Sequence, residues 1–230
     1  MKALVLSSGG LDSTTCLALA VQRFGAAEVL ALSVFYGQKH QKELQSAKAV
    51  AAYYGVAQQT LDLSAVFETS DCSLLQGRAA VPHESYAKQQ QAAPNQPVST
   101  YVPFRNGLFI AAAASAAEAA RCSYIYYGAH LDDAAGNAYP DCSAAFYRAM
   151  NEAIKEGTGG HLKLVAPFIE TDKAGVVKQG ISLGVPYELT WSCYEGGDKP
   201  CGQCGTCRDR LRAFAVNGIK DPLQYEEEHI

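Results

Sequence analysis

The strongest constraint on the fold is the regular alternation of short apolar runs with amphipathic segments along the 230 residues. Lys2–Leu6 and Val29–Phe35 are apolar runs typical of buried strands, and each precedes a segment with apolar residues at helical spacing. We expect strands at 2–6, 29–35, 59–63, 123–127 and 162–165, and helices at 11–24, 40–54, 106–121, 143–155, 171–183 and 208–215. The pattern predicts an α/β fold with a doubly wound, parallel five-stranded sheet.

The charge balance and the hydropathy pattern exclude several classes of protein. The 19 Lys and Arg residues against 23 Asp and Glu residues give a net charge of −4, so we expect no stable nucleic-acid binding. No apolar run reaches the length of a membrane span, and the N-terminus lacks the features of a signal peptide. We therefore expect a cytoplasmic protein without a membrane partner.

A glycine-containing loop lies directly between the first predicted strand and the first predicted helix. It reads Ser7-Ser8-Gly9-Gly10-Leu11-Asp12-Ser13. Glycines bring backbone N–H groups close to an anion, and the following helix directs its positive end to the same place. No lysine follows the glycines, which excludes the phosphate loop of kinases and GTPases. The string predicts a different phosphate-binding loop; the alternative is a plain strand–helix turn capped by Asp12 or Ser13.

Four of the eight cysteines are clustered near the C-terminus, at Cys193, Cys201, Cys204 and Cys207. A disulfide framework would spread cysteine pairs through a short secreted chain, so clustered thiols favour a metal. Four thiolates predict one structural Zn²⁺, with an iron–sulfur cluster as the main alternative and a redox-active Cys-x-x-Cys pair as a weaker one. The remaining four cysteines are scattered and are expected in the core.

The segment from Ser70 to Thr100 has a composition unlike that of the rest of the chain. It contains three consecutive glutamines at 89–91, three prolines and few apolar residues, so it is not expected to join a compact core. Loops of this length are usually functional or mobile. We expect this segment to close over the bound substrate, with a passive surface loop as the alternative.

Further strings resemble those of a known family. They are Phe35–Leu44, Tyr101–Asn106, Ala138–Cys142, the spacing Pro167-x5-Lys173, and Thr190–Tyr194. Together with Ser-Gly-Gly-Leu-Asp-Ser, and in this order, they closely resemble the 7-cyano-7-deazaguanine synthase family of ATP pyrophosphatases, also called PP-loop enzymes. The resemblance covers Leu4 to Phe214. Phe104 and Leu11 depart from it, because the family more often has Gly and Gln at these positions.

The resemblance implies an adenine nucleotide alpha-hydrolase fold over 1–186, with a zinc-binding region at 187–230 packed on it. It implies an ATP-dependent carbon–nitrogen ligase that converts 7-carboxy-7-deazaguanine and ammonia to 7-cyano-7-deazaguanine in queuosine precursor biosynthesis. The acid and then the amide would be adenylated, each step releasing pyrophosphate. ATP with Mg²⁺ would be the co-substrate and one Zn²⁺ per chain would be structural. We also expect a homodimer.

The resemblance also assigns residues to roles. The predicted catalytic residues are Asp12, Lys173 and Arg105. The predicted ATP-binding residues are Ser7, Ser8, Gly9, Gly10, Leu11, Asp12, Ser13, Thr14, Thr15, Cys16 and Leu17, and the predicted substrate-binding residues are Gln38, His40, Asn106, Asp132 and Asp141.

Alternatives remain for several of these residues. Lys173 could be a solvated lysine, and His40 a solvated first-turn residue. Asp141 could cap the helix that begins near Ser143. Asp132 and Asp133 could hold Mg²⁺ together, or could simply be a pair of loop carboxylates.

Two rival functions also remain open. A PP-loop enzyme of the same chemistry could adenylate another acid, in tRNA thiolation or in protein modification. A non-catalytic zinc module that binds nucleic acid is the rival from a different class, but it leaves the phosphate loop unexplained.

Overall fold

The computed structural model describes residues 1–83, 88–89, 91 and 96–226. Its five strands form one parallel sheet in the order β3-β2-β1-β4-β5. The strands are β1 (Ala3–Leu6), β2 (Val29–Phe35), β3 (Ala57–Asp62), β4 (Tyr124–Tyr126) and β5 (Lys163–Val165). The chain reverses its direction of winding between β1 and β4, so the predicted doubly wound topology is confirmed.

Six helices in the described residues cover the two faces of the sheet. They are α1 (Leu11–Phe24), α2 (Lys42–Tyr54), α3 (Arg105–Ala119), α4 (Ala144–Gly157), α5 (Lys173–Ser182) and α6 (Gly205–Val216). Alternate residues of β1 point to opposite faces, so Ala3 and Val5 pack with α1, α2, α5 and α6, whereas Leu4 packs with α3 and α4. The two resulting apolar clusters form the main core.

Helix caps and an edge strand account for the main differences between the predicted and observed boundaries. α1 begins at Leu11 after Gly10, so neither Asp12 nor Ser13 caps it. α6 begins at Gly205, three residues before the predicted start, with Cys204 at its N-cap position. β3 begins at Ala57 rather than residue 59 because it is the edge strand, and its exposed polar residues hide the apolar signal.

Part of the Ser70–Thr100 segment belongs to the core, contrary to the sequence prediction. Cys72, Leu74, Leu75 and Val81 are buried in a third apolar cluster, which also contains Trp191 and the four clustered cysteines. Val98, near the end of the segment, is buried in the cluster that contains Leu4 instead. Residues 84–87, 90 and 92–95 lie outside the described part, so the closing movement stays a prediction.

The C-terminal region is continuous with the main core. Ala213 and Phe214 of α6 belong to the cluster that covers one face of the sheet. A division of the chain after residue 186 therefore stays a prediction. Among the described residues, none of the helices combines the length and apolarity needed to cross a membrane.

Candidate active site

A cavity of about 230 Å³ opens at the carboxyl ends of β1, β2 and β4. This edge includes the point between β1 and β4 where the winding reverses, which is where ligands bind in open α/β sheets. The cavity is lined by the glycine-containing loop, the first turns of α2, α3 and α5, and the segment before the clustered cysteines. The topology thus brings together residues that are far apart in the sequence.

The glycine-containing loop is held open by its own serines. Ser13 Oγ accepts a hydrogen bond from the backbone N–H of Ser8 at 3.2 Å and donates one to the carbonyl of Gly10 at 3.2 Å. The hydroxyl oxygens of Ser8 and Ser13 lie 3.1 Å apart. These contacts keep both hydroxyls and the start of α1 facing the cavity, in the arrangement that suits an anion.

Two glycines are required because the backbone passes too close to other elements for a side chain. Gly9 has φ +81°, and a Cβ there would collide with the backbone of α2 at Glu43 and Ala47. A Cβ on Gly128, just after β4, would lie 3.2 Å from backbone atoms of Asp12 and Ser13. Gly9 and Gly128 therefore allow α2 and the end of β4 to close directly on the loop.

A cluster of charged side chains lies beside the loop. Nζ of Lys173 lies 3.2 Å from Oδ2 of Asp12 and 3.3 Å from Nε2 of His130. The same His130 nitrogen lies 3.3 Å from Oδ1 of Asp133 and 3.8 Å from Oδ1 of Asp12. Asp12, Asp133 and Lys173 line the cavity, whereas His130 is fully buried behind them. The predicted residues Asp12 and Lys173 are therefore in direct contact.

The charges in this cluster set the protonation of its members. Burial opposes ionisation of Asp12, but the nearby Lys173 and His130 outweigh it and lower the pKa of this carboxyl. Burial likewise opposes the charge of Lys173, but Asp12 and Asp133 raise the pKa of the ammonium. Burial raises the pKa of Asp133. Asp12 and Lys173 are therefore an ion pair at neutral pH.

Arg105 and Asn106 enter the cavity from the first turn of α3. The guanidinium of Arg105 donates to the hydroxyl of Tyr36 at 3.2 Å and lies over the rings of Tyr36 and Phe109, at 5.0 and 5.9 Å from their centroids. Asn106 Nδ2 contacts Cys142 Sγ at 3.2 Å. Both predicted residues line the cavity.

Gln38 lines the cavity and also shapes the chain after β2. Its side-chain carbonyl accepts a hydrogen bond from the backbone N–H of Tyr36 at 2.9 Å, and its backbone pairs with Leu75. Gln38 is buried, so it fixes the chain that follows β2.

Three predicted substrate-binding residues, His40, Asp132 and Asp141, do not appear among the described residues that line the cavity. His40 packs against Trp191 and Gly196, on the side of the cysteines. Asp132 accepts a hydrogen bond from the backbone N–H of Lys173 at 3.0 Å. Both residues therefore support the walls of the site.

Asp141 caps a helix other than the one anticipated. Its Oδ2 accepts a hydrogen bond at 2.9 Å from the backbone N–H of Asn106, in the first turn of α3. The helix that follows it, α4, is capped instead by Ser143. Asp141 is buried, and burial raises the pKa of its carboxyl.

The predicted ATP-binding residues are also divided by their placement. Those that line the cavity are Ser7, Ser8, Gly10, Leu11, Asp12 and Ser13. Thr14, Thr15, Cys16 and Leu17 are buried within α1; the hydroxyl of Thr15, for example, contacts that of Tyr187 at 2.9 Å. The second group supports the loop from inside the core.

The four clustered cysteines converge on one point. Their sulfurs all lie within 4.8 Å of one another, and all four residues are buried. Backbone N–H groups of Glu195 and Cys201 point at Cys193 Sγ, and those of Gln203 and Cys204 point at Cys201 Sγ, at 3.3 to 3.4 Å. Such N–H groups stabilise thiolates, so the four residues fit a single metal ion.

A buried arginine connects the cysteine region to the loop. Arg210 in α6 makes a two-pronged ion pair with Asp221, at 2.7 and 3.0 Å, and donates to Thr190 Oγ1 at 2.6 Å. The next residue, Trp191, donates its backbone N–H to the carbonyl of Gly9 at 2.9 Å. The position of the loop is thus tied to α6, whose first turn carries Cys207.

Sequence reasoning missed His130, and it included Glu43 and Trp191 only within the strings of the resemblance, without a role. His130 lies four residues after the end of β4, and polar residues beyond the carboxyl end of a parallel strand are a signal that could have identified it. Glu43 lies in the first turn of α2, where an acidic residue is ordinarily explained by the helix dipole, so its place in the cavity was hidden.

The family model described as "Queuosine biosynthesis protein QueC" matches residues 2–218. The chain belongs to the QueC family. The parallel sheet, the loop after β1 and the C-terminal cysteines are thus the PP-loop fold of this family with its candidate metal site, and the fold expected from the resemblance is confirmed.

Curated relatives match over nearly the whole chain. The 7-cyano-7-deazaguanine synthase of Archaeoglobus fulgidus is 42% identical over 229 residues, covering 99% of this chain and 92% of the relative. The synthase of the same name from Pseudoalteromonas atlantica is 38% identical over 225 residues, covering 98% and 99%. The relatives are named as synthases, so this is a family of enzymes.

Solved structures share the fold at low sequence identity. The U34-tRNA thiolase NcsA from Methanococcus maripaludis, solved with its [4Fe-4S] cluster, has a TM-score of 0.51 and 14% identity, covering 94% of this chain and 66% of that one. The NMN synthetase of Francisella tularensis also has a TM-score of 0.51 and 14% identity, with 95% and 78% covered. At this identity, the likeness extends to the fold alone.

Proposed function

We propose that this QueC family member is a 7-cyano-7-deazaguanine synthase that works as an AMP- and pyrophosphate-forming ligase. The observation that carries the proposal is the family match over nearly the whole chain. It is supported by the cavity, in which the glycine-containing loop and its Asp12 lie against Lys173. The substrates would be 7-carboxy-7-deazaguanine, ammonia and two molecules of ATP with Mg²⁺. The product would be the corresponding nitrile.

The chemistry removes both oxygens of a carboxylate, and each leaves as part of AMP. The carboxylate attacks the α-phosphorus of ATP, giving an acyl adenylate and pyrophosphate. Ammonia displaces AMP, which gives the amide and releases a proton. The amide oxygen then attacks a second ATP, and a second pyrophosphate leaves. Loss of AMP and of both N–H protons from this adenylated amide leaves the nitrile.

The residues of the cavity suit the charges in these steps. Ser8, Ser13 and the N-terminus of α1 would hold the departing pyrophosphate. Lys173 would stabilise negative charge on the reacting phosphates while Asp12 keeps it in place. Asp12 and Asp133 offer carboxylate oxygens for Mg²⁺. Enclosure in the cavity would limit hydrolysis of the two adenylates.

The four cysteines would hold one structural Zn²⁺. A Zn–S distance of ~2.3 Å places tetrahedral sulfurs about 3.8 Å apart, which fits sulfurs that all lie within 4.8 Å of one another. A four-iron cluster binds each thiolate to a different iron and needs a wider spacing. With all four positions taken by sulfur, the ion would fix the fold of this region and take no part in the reaction.

The test is a single incubation followed by mass spectrometry. The protein is given ATP, Mg²⁺, ammonium and 7-carboxy-7-deazaguanine, and the amide, the nitrile, AMP and pyrophosphate are measured. The proposal expects two AMP per nitrile. Release of ADP and phosphate instead would contradict the adenylation chemistry. ATP–pyrophosphate exchange with other acids, but not with this one, would point to a different acid substrate.

Elemental analysis of the same preparation tests the metal assignment. We expect one zinc per chain and no iron. Four irons per chain, with the visible absorption of an iron–sulfur cluster, would overturn the zinc proposal and leave the ligase proposal to be judged by the incubation.

A further inference from the structure

Glu43 places a carboxylate in the cavity that none of the steps above uses. It lies in the first turn of α2, lines the cavity and is half-buried. Among the described residues, its carboxylate has no hydrogen-bond partner. Burial raises the pKa of Glu43 to about 7. A first-turn glutamate that only interacted with the helix dipole would face solvent. Burying this carboxylate without a partner costs free energy, which a bound ligand that donates hydrogen bonds would offset.

Arg105 faces the same space from α3. The guanidinium favours the charged form of Glu43. Burial opposes the charge of Arg105, but Tyr36, Tyr194 and the Glu43 carboxylate raise the pKa of this guanidinium. The two groups nonetheless make no direct ion pair in the described part of the chain. An acceptor and a donor therefore border one cavity without being paired to each other. A ligand that offers two donors next to one acceptor would satisfy both groups.

The surroundings of this pair suit a flat ring. Tyr36 and Phe109 pack on the guanidinium of Arg105. Trp191 and Tyr194 also line the cavity. Aromatic side chains stack on the faces of purine-like bases, which leaves the base edge free for hydrogen bonds. This part of the cavity thus combines aromatic surfaces for stacking with Glu43 and Arg105, which can hydrogen-bond to the edge of a base.

The pyrimidine edge of a guanine-like base carries this pattern. It presents the N1–H and the 2-amino group as parallel donors, next to the O6 acceptor. A carboxylate accepts from two parallel donors, and an arginine donates to O6. Asp141, one of the predicted substrate-binding residues, does not line the cavity and already accepts the Asn106 N–H. Of the carboxylates that line the cavity, Asp12, Asp133 and Asp209 each lie beside a basic side chain, whereas Glu43 has no such partner among the described residues.

We propose that Glu43 is a specificity-determining residue that accepts hydrogen bonds from the N1–H and 2-amino group of the 7-deazaguanine acid, with Arg105 beside it. This inference rests on the proposed function. It predicts that the protein distinguishes its substrate from an analogue without the 2-amino group, and that the distinction depends on Glu43.

The experiment compares two substrates in three proteins. The substrates are 7-carboxy-7-deazaguanine and 7-carboxy-7-deazahypoxanthine, which lacks the 2-amino group. The proteins are the wild type, Glu43→Gln and Glu188→Gln, which makes the same change on the exposed surface. For wild type and Glu188→Gln we expect kcat/KM to be about 10- to 100-fold higher for the guanine acid, which is the worth of a hydrogen bond to a charged group.

In Glu43→Gln this preference is expected to fall to about 1, mainly through KM for the guanine acid, while KM for ATP stays unchanged. Glu43→Asp keeps a carboxylate and is expected to retain part of the preference, and it carries the test if the Gln variant does not fold. An undiminished preference in Glu43→Gln would overturn the assignment. No nitrile from the wild type would overturn the proposed function as well, so the two failures are distinguishable.

Discussion

The cluster of four cysteines and the cluster of charged side chains beside the loop differ in how far apart their residues lie in the sequence. Cys193, Cys201, Cys204 and Cys207 lie within fifteen residues, and their short spacing brings the sulfurs together. Asp12, His130, Asp133 and Lys173 come from the ends of three strand–helix units and meet only when the sheet has formed. The first region depends on local turns and the second on the whole fold.

This difference has a consequence for stability and activity. If the cysteines hold a metal, its binding free energy contributes to folding, so damage there should appear as lost stability. The charged cluster is borne by elements that the core already fixes, so damage there should appear as lost activity in a folded protein. Each of the following predictions breaks or sharpens this contrast.

Asp12→Asn should have the largest effect on activity. The variant keeps the shape of the side chain but removes the charge that holds Lys173 at 3.2 Å. We expect ATP–pyrophosphate exchange to fall at least about 10²-fold, the loss typical of one displaced charge-stabilising group. The melting temperature should change little. Asp71→Asn, at a fully exposed carboxylate, is the matched control. A large drop in melting temperature would contradict this prediction, because it would show that Asp12 mainly stabilises the fold.

Cys204→Ala should have the largest effect on stability. It removes one of the four converging thiols and the N-cap residue of α6. We expect a loss of roughly 3 kcal/mol or more, together with loss of the bound metal, measured by denaturation and elemental analysis. Cys122→Ala removes a buried thiol far from the cluster and should cost less. Equal losses in the two variants would contradict a metal-dependent fold.

The sequence was sufficient for the parts of the molecule that are specified locally. The alternation of apolar runs and helical segments predicted the sheet because buried parallel strands need continuous apolar residues, as in Val29–Phe35. The cysteine spacing predicted the convergence of the four sulfurs for the same local reason. The loop at Ser7–Ser13 was identified because its glycines lie between a strand and a helix.

The sequence was insufficient where a side chain could turn either way. Nothing local distinguishes Asp141, which caps α3 from the outside, from Glu43, which enters the cavity. Nor does the sequence after β4 show that the His130 side chain contacts Lys173 while Asp132 accepts the backbone N–H at the start of α5. These choices depend on helix packing across the sheet, so only the three-dimensional structure makes them.

Asp141→Ala should have an intermediate effect and separates capping from substrate recognition. The variant leaves the backbone N–H of Asn106 without its acceptor, and we expect a loss of about 1 kcal/mol in unfolding free energy. Asp141→Asn can still accept this hydrogen bond and should stay within about 0.5 kcal/mol of the wild type. Both should keep the preference for the 2-amino group. Loss of that preference in a stable Asp141→Asn protein would return the recognition role to Asp141.

Phe104 should give the smallest effect, because two terms oppose each other there. The residue has φ +51° in the left-handed region, where a non-glycine residue costs about 1 kcal/mol. Its ring, however, packs over Gly107 and edge-on to Phe146, with 5.8 Å between ring centroids. Phe104→Gly relieves the strain but loses the packing and gains freedom in the unfolded chain.

We therefore expect Phe104→Gly to lie within about 1 kcal/mol of the wild type, and Phe104→Ala to be less stable than Phe104→Gly, since alanine keeps the strain and loses the ring. Chemical denaturation of the three proteins measures both differences. An alanine variant as stable as the glycine variant would show that the left-handed backbone carries no cost at the start of α3. The ring contacts would then be the whole contribution of Phe104 at this edge of the cavity.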